Sequence, residues 1–227
     1  MNNNIDVIFF DLFYTLTNPQ YSNESNEYDV LGITQIEWEK YSEDIELYNE
    51  RAVGKVRNSR KIIERILDSI GINLDEYKIQ LIQNLREERF KGAIMNIEDT
   101  ILDVLLYLKD KGKRLCIISN ADIIDVMFWK ESPLDYIFET AIFSYEVGYL
   151  KPHPKIYEIA LDKMNVKPEN CMFIGDGGSE ELSGAKNMGM KTIQAGHFIK
   201  RDIEQLNTFN EYADYYIENF EEIKNIL

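Results

Sequence analysis

The 227-residue sequence predicts a three-layer α/β fold: a doubly wound parallel sheet with a small all-helical insert. Three observations carry that expectation. Short apolar runs of β-branched and aromatic residues recur along the chain, each ending on polar residues, as the buried strands of a parallel sheet do. Longer stretches with helical spacing lie between them, so strand and helix alternate and the crossovers should be right-handed. One span, Ile33 to Lys91, breaks the alternation. It is rich in Glu, Lys, Leu and Ile and holds no proline, which suits a set of helices inserted after the first strand.

The first run, Val7-Ile8-Phe9-Phe10, ends at Asp11. A carboxylate at the end of a buried strand is costly unless it is paired or does chemistry. In an open parallel sheet the carboxyl ends of the strands form the ligand crevice. Asp11 therefore suits a nucleophile or a metal ligand; a capping aspartate is the plainer alternative. Asn18 to Glu27 is polar, contains Pro19 and reads as a linker. Ile62, Ile63, Ile66, Leu67 and Ile70 have helical spacing closed by Gly71, and a second helix runs from Leu74 to Phe90 with Tyr77, Leu81, Leu85 and, less regularly, Phe90 on its apolar side. These features divide the chain into a core domain, 1–17 and 96–227, and a helical insert, 18–95.

The alternation resumes with a helix from Ile97 to Lys111, built on Ile101, Leu102, Leu105, Leu106 and Leu108 and ended by Gly112. A second strand, Arg114 to Ile118, runs into Ser119-Asn120-Ala121, and Asp122 caps a helix reaching Lys130. A third strand spans Thr140 to Ser144, followed by the Lys151-Pro152 loop and a helix to about Met164. The fourth, Cys171 to Ile174, opens into Gly175-Asp176-Gly177-Gly178-Ser179-Glu180-Glu181, with a helix after it. A fifth covers Lys191 to Gln194, a short sixth Tyr215 to Ile217, and a helix closes the chain from Phe220.

A net charge of −15 repels nucleic acid and anionic membrane, and no basic patch offsets it. A site for a phosphorylated small molecule would need local cations. Cys116 and Cys171 sit in apolar runs and read as buried thiols of a reducing compartment. The N-terminus lacks the basic and apolar regions of a signal peptide, and no apolar run approaches the roughly 20 residues of a membrane span, so a cytoplasmic location is expected. His153 and His197 read as surface loop residues and the acidic tail from Asp202 as a solvated face. Trp38, Tyr41 and Tyr48 read as the insert's own core, with a pocket lining as the alternative.

Four strand ends thus carry polar residues that suit one another: Asp11; Ser119 and Asn120; Lys151; Asp176 with Glu181. In a parallel sheet they converge, and clustered carboxylates suit Mg²⁺. In this order and at these spacings the chain resembles the haloacid dehalogenase (HAD) superfamily of aspartate-nucleophile hydrolases. The matching motifs are Asp11-Leu12-Phe13-Tyr14-Thr15-Leu16, Ser119-Asn120, Lys151-Pro152 and Gly175-Asp176 with Glu181. The resemblance implies a Rossmann-like core, with residues 18–95 as a helical cap. It implies Asp11 as nucleophile forming an acyl-phosphate, with Thr15, Ser119 and Lys151 in the catalytic set. Ser119, Asn120 and Lys151 would hold the substrate. Asp11, the Phe13 backbone carbonyl, Asp176 and Glu181 would hold Mg²⁺.

One position departs from the pattern. Phosphatases of that family carry an aspartate two residues after the nucleophile, as acid and base; here it is Phe13. General acid–base catalysis is worth roughly 10² to 10⁴ in rate, about 3 to 5 kcal/mol of barrier. The expected activity is therefore a Mg²⁺-dependent phosphatase, slow on esters whose leaving group needs a proton. The alternatives are a 2-haloacid dehalogenase, a phosphonate hydrolase using Lys55, and a HAD-fold binding protein without catalysis.

Overall fold

The computed structural model describes residues 5–200 and 211–227. Its centre is β1 (Val7–Phe10), four residues buried on every side. Such a strand forms only where both faces are covered, and each buried Phe or Ile contributes roughly 1.5–3 kcal/mol. Around it lie β2 (Arg114–Ser119), β3 (Thr140–Phe143), β4 (Cys171–Gly175), β5 (Lys191–Ala195) and β6 (Tyr215–Ile217). Among the described residues they make one six-stranded sheet in the order β3-β2-β1-β4-β5-β6, every pairing parallel. The order reverses direction between β1 and β4, where Phe10 pairs with Ile174. That reversal opens the crevice in which such folds bind ligands. The fold is the expected α/β, Rossmann-like one.

Separate apolar clusters cover the two faces of the sheet, one built with Leu105, Leu108 and Phe220 and the other with Ile156, Tyr157 and Met164. Both cysteines are free and buried. Between β1 and β2 lie α1 (Glu27–Leu31), α2 (Gln35–Ser42), α3 (Ile45–Ala52), α4 (Ser59–Ile70), α5 (Glu76–Met95) and then α6 (Asp99–Asp110). Their starts obey local chemistry: the Thr34, Asp44, Asn58 and Asp75 side chains each accept a backbone N–H of the first turn. Gly71 ends α4 at φ 78°, as expected. A third cluster, with Trp38, Ile62, Ile63, Ile66 and Ile82, is the core of these helices.

Several elements differ from expectation. The inward side of α5 holds the expected Phe90 but otherwise Ile82, Arg86, Ala93 and Ile94, whereas Tyr77 is exposed; a buried arginine holds a place that hydropathy assigns to an aliphatic residue. On α6, Leu106 is exposed and Val104 is buried. The helix expected over Asp122 to Lys130 is α7 (Ile123–Val126) followed by a 3₁₀ turn at Trp129–Glu131, after which Ser132 caps α8 (Pro133–Ile137), with Pro133 at its first position. β3 stops at Phe143 because Ser144 opens α9 (Ser144–Val147). The remaining helices are α10 (Pro154–Met164), α11 (Glu181–Asn187) and α12 (Ile223–Ile226). No described helix is long and apolar enough to cross a membrane. The first part of the acidic tail, 202–210, lies outside the described residues.

The helices α1–α5 meet the sheet and its flanking helices through apolar packing, with Ile94 in the sheet-side cluster and Ile124 in that of the inserted helices, and through polar contacts. The hydroxyls of Thr17, Ser132 and Ser144 donate to the carbonyls of Ala93, Ile94 and Ala52 at 2.5, 2.6 and 2.7 Å. Arg57 Nη2 donates to the carbonyl of Tyr145 at 2.8 Å, and Arg51 pairs with Asp122 at 2.7 Å. Phe13 meets Phe90 of α5 edge-on, ring centres 5.5 Å apart.

Candidate active site

Asp11 follows β1 at the point where the sheet order reverses, and its backbone N–H bonds to the carbonyl of Ile174 on β4 at 2.9 Å. The next residues fold into a tight loop: Tyr14 N–H donates to the Thr17 carbonyl and Leu16 N–H to that of Leu12. Tyr14 takes φ 59°, a left-handed conformation that costs a non-glycine residue of order 1 kcal/mol. The loop returns Thr15 under Asp11, with Thr15 Oγ1 3.4 Å from Asp11 Oδ2.

The Lys151 ammonium, buried, lies 2.5 Å from Asp11 Oδ1 and 2.5 Å from Glu181 Oε2. Its backbone is set by Asn120: Lys151 N–H donates to Asn120 Oδ1 at 2.7 Å, and Asn120 Nδ2 donates to the Lys151 carbonyl at 3.2 Å. The amide after β2 therefore fixes the loop after β3. Glu181 Oε1 accepts the Gly177 N–H at 3.1 Å, and the Tyr157 hydroxyl donates to the Glu181 carbonyl at 2.9 Å. Asp176, after β4, accepts the Gly178 N–H at 3.1 Å. Ser119 is buried at the end of β2.

Asp11, Asp176 and Glu181 are all buried, and each offers an oxygen within 4.8 Å of the others. Three carboxylates thus face one ammonium. Burial raises the Asp11 carboxyl above its ordinary value against the pull of Lys151, and Asp176 raises it further. Burial and then Asp11 push Glu181 up to about 8. Burial works against the Lys151 charge, but Asp11 and Glu181 outweigh it and raise its pKa. A buried set of hard oxygens with excess negative charge fits a divalent cation such as Mg²⁺.

The cluster forms the floor of a cavity of about 1000 Å³. Asp11, Ser119, Asn120, Lys151, Asp176 and Glu181 all line it, and Phe13 does too; Thr15, also expected in the catalytic set, is fully buried beside Asp11 and is not part of the lining. Lys55 is exposed and takes no part in the wall. Trp38 is fully buried in the core of the inserted helices, as expected, and Tyr41 packs beside it, while Tyr48 faces the cavity. His153 is an exposed helix cap, its Nδ1 accepting the Lys155 N–H. His197 is half-buried between Phe198 and Phe220 instead of lying on the surface.

The far wall is not among the residues expected from the sequence. It consists of Glu43 and Tyr48 of the inserted helices, Arg86 and Arg89 of α5, and Asp125 of α7. Arg86 lies 3.5 Å from Glu43 and 3.8 Å from Asp125, and Arg89 pairs with Glu27 at 3.0 Å. One signal for it exists in the sequence: Arg86 shares the i, i+4 row of Ile82 and Phe90.

A family model described as haloacid dehalogenase-like hydrolase matches residues 5–189. The glyceraldehyde 3-phosphate phosphatase of Pyrococcus furiosus is 38% identical over 128 residues, 54% of this chain and 51% of that protein. The bifunctional epoxide hydrolase 2 of Rattus norvegicus is 36% identical over 106 residues, 44% of this chain and 19% of that protein. The chain thus spans about half or less of the length of these relatives. Among solved structures, a HAD family enzyme of Bacteroides thetaiotaomicron in complex with magnesium and inorganic phosphate superposes with a TM-score of 0.67 at 19% identity, covering 89% of this chain and 99% of that one. A 2-haloacid dehalogenase of Pseudomonas syringae gives a TM-score of 0.67 at 22% identity over 98% of this chain and 97% of that one. At these identities the likeness is one of fold.

Proposed function

The chain belongs to the haloacid dehalogenase-like hydrolases, and on that premise we propose that it is a Mg²⁺-dependent phosphatase working through a phosphoaspartyl group on Asp11. The observation that carries this reading is the gathering of Asp11, Asp176 and Glu181 around Lys151 where the sheet order reverses. The phosphatase names of relatives at 37–38% identity support it. In this reading residues 18–95 form the cap, and 1–17 with 96–227 the core.

Asp11, the Phe13 carbonyl and Asp176 would hold Mg²⁺, with Glu181 supporting that set. The cation would supply charge neutralisation for the transferring phosphoryl group. An Asp11 carboxylate oxygen attacks phosphorus, the ester P–O bond breaks, and the leaving oxygen carries away the electron pair. Lys151 holds Asp11 in place and balances charge, while Ser119 and Asn120 hold the phosphoryl oxygens. Water then cleaves the phosphoaspartyl group, returning the carboxylate and releasing phosphate. Phe13 can neither give nor take a proton, so an alkoxide must draw its proton from water, whereas a phenolate or carboxylate leaves without one.

The test is a panel of aryl, acyl and alkyl phosphates with and without Mg²⁺, beside the Asp11→Asn variant. Mg²⁺-dependent release of phosphate, faster from aryl and acyl than from alkyl esters and lost in Asp11→Asn, is the expected result. Faster alkyl turnover, or activity surviving Asp11→Asn, sinks the mechanism. Phe13 also favours one second reading, because halide leaves without a proton; chloride release from 2-chloropropionate in EDTA would establish it. The three-carboxylate cluster stands against a metal-free site of that kind.

A further inference from the structure

Three side chains on the cavity wall have a buried atom with no hydrogen-bond partner among the described residues: Arg86 Nε, Asp125 Oδ1 and Arg89 Nη2; the last is held by its ion pair with Glu27 at 3.0 Å. Arg86 is 1% exposed and Asp125 5%, and both line the cavity that holds Asp11. They come from different parts of the fold, Arg86 from α5 and Asp125 from α7 behind Ser119-Asn120. Arg86 Nη2 lies 3.8 Å from Asp125 Oδ1, close enough for an ion pair and too far for a hydrogen bond.

The rest of each group is committed. Asp125 Oδ2 accepts the Asp122 N–H at 2.8 Å. The Arg86 guanidinium lies 5.0 Å from the centre of the Phe90 ring and 3.5 Å from Glu43 Oε1. A buried charged atom without a hydrogen bond is expensive, so this pair is prepared for a guest. A carboxylate guest would gain Arg86 but face Asp125 and Glu43. An ammonium would gain Asp125 but face Arg86. An alkyl group would satisfy neither. A hydroxyl donates to one group and accepts from the other through a single oxygen.

Resting on the phosphatase reading above, we propose that Arg86 and Asp125 form a hydroxyl-recognising subsite, so that the substrates are phosphate esters of hydroxylated alcohols. The Asp11 cluster takes the phosphoryl end, and the Arg86–Asp125 pair takes a hydroxyl of the alcohol.

The test compares glycerol 1-phosphate with propyl phosphate, which lacks its free hydroxyls, in wild type, Asp125→Asn and Arg86→Met at pH 8 with Mg²⁺. Charge-assisted hydrogen bonds set the expected scale: wild type prefers the glycerol ester by about tenfold or more in kcat/KM. The expected ratio falls to within about threefold of one in each variant. Asp125→Asn keeps an oxygen for the Asp122 N–H and swaps only Oδ1, the acceptor without a hydrogen bond, for a donor, so it carries the test if Arg86→Met does not fold. Where wild type turns over neither ester, the same pair is titrated into it calorimetrically and the Kd ratio is read instead. Equal treatment of the two esters, binding of neither, or a preference that survives Asp125→Asn overturns the subsite. Aryl phosphate hydrolysis without a hydroxyl preference leaves the phosphatase reading standing and removes only the subsite. A calorimetric preference abolished by Asp125→Asn in a protein that hydrolyses no phosphate ester does the reverse.

Discussion

Glu181 Oε1 occupies the space that a side chain on Gly175 would need. A Cβ built on Gly175 would collide with that oxygen and with the Phe173 ring. The glycine that ends β4 is therefore what lets the first residue of α11 return its carboxylate to Lys151. Gly175→Ala is expected to cost about 1–3 kcal/mol, as overpacking of a filled site does, and to abolish stabilisation by Mg²⁺. Urea denaturation with and without Mg²⁺ checks both; a variant within about 0.5 kcal/mol of wild type that keeps its response to Mg²⁺ would show that Glu181 has room elsewhere.

Phe13→Asp should raise alkyl phosphate turnover, because it places a proton donor beside Asp11. The gain can reach roughly 10²-fold or more. The change also removes the edge-on contact with Phe90, worth about 0.5–1.5 kcal/mol beyond the area buried, so the melting temperature should fall. Steady-state kinetics on an alkyl ester decides the matter: unchanged turnover in a folded, Mg²⁺-responsive variant would show that the missing acid is not what limits the rate.

The Asp125 carboxyl gives stability a distinct pH dependence. Burial and then Asp122 push it up to about 7, against an ordinary value of 3.8. Between those values the folded protein holds a proton that the unfolded chain has released. Its contribution to stability is therefore complete below about pH 4 and is lost as pH rises toward 7. Asp125→Asn removes that loss, so the ratio of variant to wild-type stability should rise between pH 5 and pH 7.5. Chemical denaturation at the two pH values measures it, and parallel curves for the two proteins refute it.

Gly92 lies inside α5, and a methyl group added there would meet nothing within 4 Å beyond its own helix backbone and chain neighbours. Gly92→Ala should stabilise the protein by about 0.5–1 kcal/mol, the helix-propensity difference. Thermal melting tests this directly, and a destabilised variant would mean that α5 needs freedom at that turn.

The floor of the site is legible in the sequence because buried strands announce themselves. Val7 to Phe10 and Cys171 to Ile174 are apolar on both faces, so a carboxylate at the end of each stands out, and each expected strand falls within one residue of the one observed. The wall is not legible. Arg86, Arg89, Glu43 and Asp125 are charged residues at helical spacing, which in a sequence look the same as a solvated face. Only the packing of α5 against α1 and α7 puts an arginine in a core register and gives it Glu43 and Asp125 as neighbours. His197 escapes a sequence reading for a similar reason: its burial comes from Phe220, far along the chain.

Each basic group that the described residues place in the cavity wall already has an acid beside it: Lys151 has Asp11 and Glu181, Arg86 has Glu43 and Asp125, and Arg89 has Glu27. An anion that arrives first meets no spare positive charge among the described residues. In the phosphatase reading the pocket would therefore impose an order of arrival, metal before ester, and inorganic phosphate alone should leave the melting curve where it was until the divalent ion is added.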